Sequence, residues 1–303
     1  MSQAQSAPAA AAAPRSFTVT GADGVPLHGL AWSDDGVPLV LLHGFGNDAH
    51  IWEDFAPLVA PHYRTLALDL RGHGDSGRAD PARYDYDFHV RDLECAFEAL
   101  GVARLVLVGH SLGGRVATLF AGRHPERLAG LVLVDSGPEL DSRGTLRIRL
   151  DMERTDSAGG GGKIASEAEY ARLLSIAYPA ARPEAIARMA RHGLRPLPGG
   201  GFERKTDPAF HAGARRMSSA EAAERDRAMT AALWDALARV ESPALVVRGA
   251  ASDVLSADVA DRMAEEVLRA GRLGVVPRAG HSVMTDNPEG FAEAMLGFVL
   301  GDE

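Results

Sequence analysis

Short apolar runs recur along the chain, separated by amphipathic stretches and by turns rich in Gly, Asp and Pro. Pro38 to Leu42, Arg64 to Leu68, Leu105 to Val108, Gly130 to Val134, Ala244 to Val247 and Arg272 to Val276 are runs of this kind. Pro38 to Leu42 is continuous, as expected of a strand covered on both faces. Between them the period changes. Asp87 to Leu100 places Phe88, Leu93, Phe97 and Leu100 on one helical face, and a Val/Ala/Leu run opens just after Gly113. Ala257 to Ala270 and Pro288 to Leu300 read as further helices, the last with Asn287 as N-cap and Pro288 in its first turn. A short helix carrying Trp52, Phe55 and Leu58 follows the Pro38 to Leu42 run. Ahead of it, Phe17 to Val19 and Leu27 to Trp32 flank Ala22-Asp23-Gly24 as a hairpin. Strand and helix in alternation predict an α/β fold with a mostly parallel sheet flanked by helices.

The alternation stops from about Gly137 to Val240. Helical patterns at Glu167 to Ala177, Pro183 to Arg191 and Ala220 to Val240 replace it, with flexible breaks at Gly159 to Gly162 and Pro196 to Gly201. The predicted organisation is a core made of residues 16–136 and 241–303, with residues 137–240 inserted as a helical cap, or lid, over the strand ends. Residues 1–15 are Ala-rich with Pro8 and Pro14. They read as a disordered tail and lack the early basic residue and strongly apolar centre of a secretory signal.

The strand ending at Gly109 runs straight into Gly109-His110-Ser111-Leu112-Gly113-Gly114, a G-x-S-x-G arrangement between a predicted strand and a predicted helix. A serine on so tight a turn has a strained backbone, and side chains on its glycine neighbours would clash. The turn lifts the hydroxyl into a cleft and aims a helix N-terminus at it, where N–H groups can meet a developing oxyanion. A serine hydroxyl is a weak nucleophile and needs a base. Functional groups gather at the carboxyl ends of strands in such sheets. His281, after the Arg272 to Val276 strand, is the expected base. Asp253, after the Ala244 to Val247 strand, is the expected acid, with Asp135 at the end of the Gly130 to Val134 strand as the alternative. His43 and His110 are expected to hold loops by hydrogen bonds, and Arg71 and Asp75 to fix the geometry of the Gly-rich turn around them.

With His43-Gly44-Phe45-Gly46, the Ser111 motif, Asp253 and Gly280-His281 in this order, the chain resembles the α/β-hydrolase superfamily, in its lidded serine-esterase-like branch. The resemblance runs from about Phe17 to Leu300. It implies an eight-stranded sheet, a Ser111–His281–Asp253 triad, an oxyanion hole from the N–H groups of Phe45 and Leu112, and no cofactor or metal. Some members place the acid where Asp135 stands. Epoxide hydrolases and haloalkane dehalogenases of the superfamily carry Asp as nucleophile, whereas Ser111 favours acyl transfer to water from an ester, lactone or thioester. An acyltransferase or perhydrolase, a C–C bond hydrolase, and a hydrolase-like small-molecule receptor use the same framework and stay open.

Composition narrows the partners. A formal net charge of −9 argues against nucleic acid, and no apolar run approaches a membrane span, so a cytoplasmic monomer or homodimer is expected. The single cysteine, Cys95, excludes an intrachain disulfide. The histidines show no metal-ligand spacing. Residues 137–240 hold 17 basic and 14 acidic side chains, against −12 for the rest, so a small-molecule substrate bearing negative charge would be drawn to the lid. Phe45, Trp52, Leu112, Val283 and Met284, with Leu146, Leu150 and Met152 from the lid, are the expected apolar pocket lining.

Overall fold

A computed structural model describes residues 13–144, 146–147, 163–211 and 218–301. Eight strands form one sheet: β1 (Arg15–Thr20), β2 (Pro26–Ala31), β3 (Val37–Leu42), β4 (Tyr63–Leu68), β5 (Leu105–His110), β6 (Leu128–Val134), β9 (Ala244–Gly249) and β10 (Gly271–Val276). Their order is β1-β2-β4-β3-β5-β6-β9-β10. β1 and β2 pair antiparallel, as do β2 and β4. Every pairing from β4 to β10 is parallel. The six runs all became strands of this sheet, the last of them, β10, as its half-exposed edge. Arg15, expected in the tail, instead opens β1 opposite Ala31. Residues 1–12 lie outside the described residues.

Two apolar layers sandwich the sheet. On one face lie α1 (Tyr86–Ala99) and α2 (Leu112–Arg123), which bring Val90, Phe97, Val116 and Phe120 against Leu107, Leu131 and Val246. On the other, α6 (Pro288–Val299) packs Phe291, Met295 and Val299 with Trp52, Phe55 and Val59 beneath Leu39, Leu41 and Val108. The Asn287 side chain accepts from the Gly290 N–H at 3.1 Å, the cap read from the sequence. The helix expected from Ala257 is regular only over Ala257–Asp261. It continues as a wider turn over Arg262–Val267.

The inserted segment carries α3 (Glu167–Ala177), α4 (Pro183–His192) and α5 (Ser219–Leu237). α3 and α4 share a small apolar cluster of their own, built on Tyr170, Leu174, Ile186 and Met189. The expected break at Pro196 to Gly201 is a hairpin turn instead. β7 (Leu194–Pro196) and β8 (Phe202–Arg204) pair antiparallel across Gly200 and Gly201, both with φ near +75°. The end of α5 belongs to the main body: Leu233, Ala236 and Leu237 are buried, and Leu237 joins Phe120 and Ala121 in the α2 layer. Among the described residues no helix is long and apolar enough to cross a membrane.

Candidate active site

Ser111 occupies the one-residue joint between β5 and α2, at φ +50° and ψ −114°. The flanking glycines are sterically required. A Cβ on Gly109 would stand 2.4 Å from the Gly113 carbonyl oxygen, and one on Gly113 would stand 2.6 Å from that of His43. Those contacts press the start of α2 onto β3. The Ser111 N–H donates to Val134 O at 3.1 Å, and the Ser136 hydroxyl donates to Ser111 O at 2.8 Å, so β6 holds the joint from the side. Leu112 is the first residue of α2, and its N–H has no acceptor within the helix.

His281 arrives from the loop after β10. Its Nε2 lies 3.0 Å from Ser111 Oγ, and its Nδ1 lies 2.7 Å from Asp135 Oδ2. Asp135 is fully buried at the end of β6. The Ser252 hydroxyl donates to Oδ2 at 2.6 Å and the Gly249 N–H to Oδ1 at 3.3 Å. Donors on both oxygens satisfy the buried carboxylate and set its angle toward the imidazole.

The expected acid, Asp253, is not beside His281. Arg147 grips it with Nε and Nη2 donating at 2.7 and 2.8 Å, and this hydrogen-bonded pairing holds its carboxyl below the usual range. The cause is local. Ser252 Oγ accepts from the N–H groups of Val254 and Leu255, closing a turn that points Asp253 outward. Asp135, at φ +44°, turns inward from the strand next to the one that ends at Ser111. The alternative acid read from the sequence is the one in contact.

Two further histidines hold backbone. His43 Nδ1 donates to Gly44 O at 2.7 Å while its Nε2 accepts from Leu70 N–H at 3.0 Å, a neutral tautomer. His110 Nε2 donates to His281 O at 2.9 Å, pinning the main chain of His281. Arg71, also buried, forks onto Asp92 at 2.5 and 2.6 Å under the Gly-rich turn.

Burial pushes His89 and His110 down to about 3, helped by Arg71 and His281 respectively. His43 and His73, equally buried, are lowered as well. Each imidazole is neutral in the fold and takes a proton on unfolding below its ordinary 6.5. Stability is therefore complete above that pH and falls as pH drops, down to about 3 for His89 and His110, by up to about 1.4 kcal/mol per pH unit for each group. Asp48, pushed up to about 7 by burial and by Asp69, works in the opposite sense, as does His28, which against burial Asp69 holds above its ordinary value, but these are outnumbered by the lowered histidines. Urea midpoints that fall steadily between pH 7 and pH 5 are the expected result; a rise over that range refutes it.

The Ser111 hydroxyl opens on a cleft of about 110 Å³. Phe45, Gly46 and Asn47 form one wall, His110 and His281 the floor, and Tyr170, Leu173, Leu174, Ala177 and Tyr178 the roof, with Arg147 and Arg204 at its edge. Of the expected lining, Phe45 is present. Trp52, Val283 and Met284 are instead buried in the layer under α6, because their apolar faces pack on the sheet. Leu146 is 47% exposed and does not line the cleft, and Leu150 and Met152 lie outside the described residues. Tyr170, Tyr178, Arg147 and Arg204 were not anticipated. Aromatic and basic positions on an inserted helix have the same spacing whether they face a core, a cleft or water.

Comparison with known proteins gives a match over residues 37–288 to the model of a family described as alpha/beta hydrolase fold. The chain is 27% identical to 2-(acetamidomethylene)succinate hydrolase of Mesorhizobium japonicum, over 86% of this chain and 88% of that one. It is 26% identical to an esterase of Mycobacterium tuberculosis, over 88% and 84%. A solved alpha/beta hydrolase of Novosphingobium aromaticivorans superposes with a TM-score of 0.74 at 30% identity, covering 93% of this chain and 96% of that one. Two other curated relatives, 36% and 42% identical, are matched over only 34% and 28% of their own length.

Proposed function

Since this chain belongs to the alpha/beta hydrolase fold family, we propose that it is a serine hydrolase that opens a carboxylic ester, or a related acyl bond, through an acyl-enzyme. The observation that carries this reading is the unbroken relay from Ser111 Oγ to His281 to Asp135, at 3.0 and 2.7 Å, opening on the cleft.

In the reading's first half, Ser111 Oγ attacks the acyl carbon while His281 Nε2 takes its proton. The tetrahedral oxyanion turns to the N–H groups of Leu112 and Phe45, each such donor being worth about 2.7–4 kcal/mol. As the alcohol leaves, His281 returns the proton to it. Water then attacks the acyl-serine by the same path, its proton passing through His281 back to Ser111 Oγ. Asp135 keeps Nδ1 protonated and stabilises the imidazolium. Residues 163–204 act as the lid, roofing the cleft with α3 and β8 and excluding bulk water.

The favoured substrate carries a carboxylate of its own. The Arg204 guanidinium and the Asn47 amide border the cleft, beside Arg147 whose charge Asp253 already meets, and the inserted segment is basic relative to the rest of the chain. The Mesorhizobium relative is named for a substituted succinate, which bears such groups. A fluorophosphonate probe should label the protein once, with the adduct mapping to the peptide containing Ser111; labelling elsewhere refutes the nucleophile. Arg204→Gln should lower kcat/KM for a monoester of a dicarboxylic acid by about 10–100-fold, as loss of a hydrogen bond to a charged group does. The matched neutral ester should change less than about twofold. Equal losses on both would refute the carboxylate preference.

A further inference from the structure

One side-chain cluster lies outside the relay and serves no purpose in it. His50 stands in the 3-10 turn Ala49–Trp52, directly after the loop that carries Phe45 and Asn47 into the cleft. The Asp48 side chain accepts from the His50 N–H at 3.0 Å and fixes the turn. His50 Nδ1 meets Glu53 Oε1 at 2.5 Å. His192, the last residue of α4, lays its ring over that of His50, with centroids 3.5 Å apart and planes 16° from parallel. One turn earlier on α4, Arg188 forks onto Asp54. This is therefore the seam where the inserted helices dock on the core.

We infer that His50, Glu53 and His192 form a binding site for a divalent first-row transition metal of the zinc class. Their donor atoms lie within 4.8 Å of one another, and all three residues are half-buried. Two imidazoles and one carboxylate leave a fourth position open, a ligand set that suits zinc and cobalt. Tetrahedral zinc, with bonds of about 2.0–2.1 Å, needs its two nitrogens about 3.3 Å apart with their in-plane lone pairs converging, so the stacked rings must tilt away from parallel as the ion enters. Glu53, already in contact with His50 Nδ1, supplies negative charge for a dication. His28, Asp69 and Asp75 also cluster, but Asp69 already accepts from His28 and from the N–H groups of Ala49 and Asp75.

The position gives the ion a consequence. A small cavity lined by His50 shares Gly46, Asn47, Tyr170 and Leu174 with the cleft. An ion there ties α4 to the turn behind the cleft wall, holding the roof to the core.

Tag-free, metal-free full-length protein titrated with Co²⁺ should develop visible ligand-field bands that saturate at one equivalent, and Zn²⁺ should bleach them. His192→Ala and Glu53→Gln should each weaken Zn²⁺ binding by about 100-fold or more, since residues that merely hydrogen-bond a ligand already contribute 10–100-fold. Glu53→Gln nearly preserves shape, so it carries the test if His192→Ala folds poorly. Zn²⁺ should slow amide exchange across residues 183–192 in the wild type and not in either variant. The site is overturned if the wild type takes up no Co²⁺ at micromolar concentration, or if both variants bind within about threefold of it. Zn²⁺ that binds without slowing exchange overturns the tie between roof and core. These readouts are direct and hold whether or not Ser111 is a nucleophile.

Discussion

Ser111→Ala is expected to lower kcat for ester cleavage by about a millionfold, with little change in the melting temperature. The magnitude is that of losing the nucleophile from a serine–histidine relay, where the remaining groups cannot substitute for the covalent step. The fold should be spared for a geometric reason. Ser111 sits at φ +50°, and Ala carries the same Cβ into that conformation, so the backbone strain is unchanged. The hydroxyl's partner is His281, at the cleft floor and open to water once the serine is gone. Single-turnover kinetics with a chromogenic ester, alongside a thermal melt, checks both halves. Wild-type turnover in a folded variant removes Ser111 from the mechanism.

The second large effect separates the two candidate acids. Asp135→Asn should reduce kcat by about ten-thousandfold, because an amide no longer enforces the Nδ1–H tautomer or stabilises the imidazolium. Asp253→Asn should leave kcat within a few fold, since its carboxylate is engaged by Arg147 at the surface side of the site. The Asp135 variant also leaves the Ser252 hydroxyl and the Gly249 N–H facing an amide. Its stability should therefore be measured with its rate, and a loss of kcat at full folding is the diagnostic result. The reverse pattern, with Asp253 the sensitive position, would return the acid to the strand after the insertion.

Much of this was legible from residue order. A continuous run such as Pro38 to Leu42 identifies a strand buried on both faces, and the glycine pair around Ser111 marks the joint because only hydrogen fits beside it. The choice of acid was less legible. Asp135 and Asp253 both follow apolar strands, and the turn made by Ser252 Oγ decides which carboxylate points inward. Backbone direction after a strand depends on such hydrogen bonds and leaves no periodic trace. The cleft roof was unreadable for a related reason: Trp52 and Met284 look as suitable for a pocket as Tyr170, and tertiary packing alone separates them. The stacked pair His50 and His192 has no local spacing at all, so nothing in the string of residues announces it.

The carboxylate's place on β6 has a consequence for how this scaffold could diverge. The proposed nucleophile and acid both come from one short strand–helix–strand unit that is complete before the chain departs into residues 137–240. Only the imidazole returns from the far side. Shuffling, lengthening or transplanting the inserted stretch would redraw which molecules are admitted while leaving that unit untouched. Selection can therefore retune substrate choice and reactivity on separate parts of the gene.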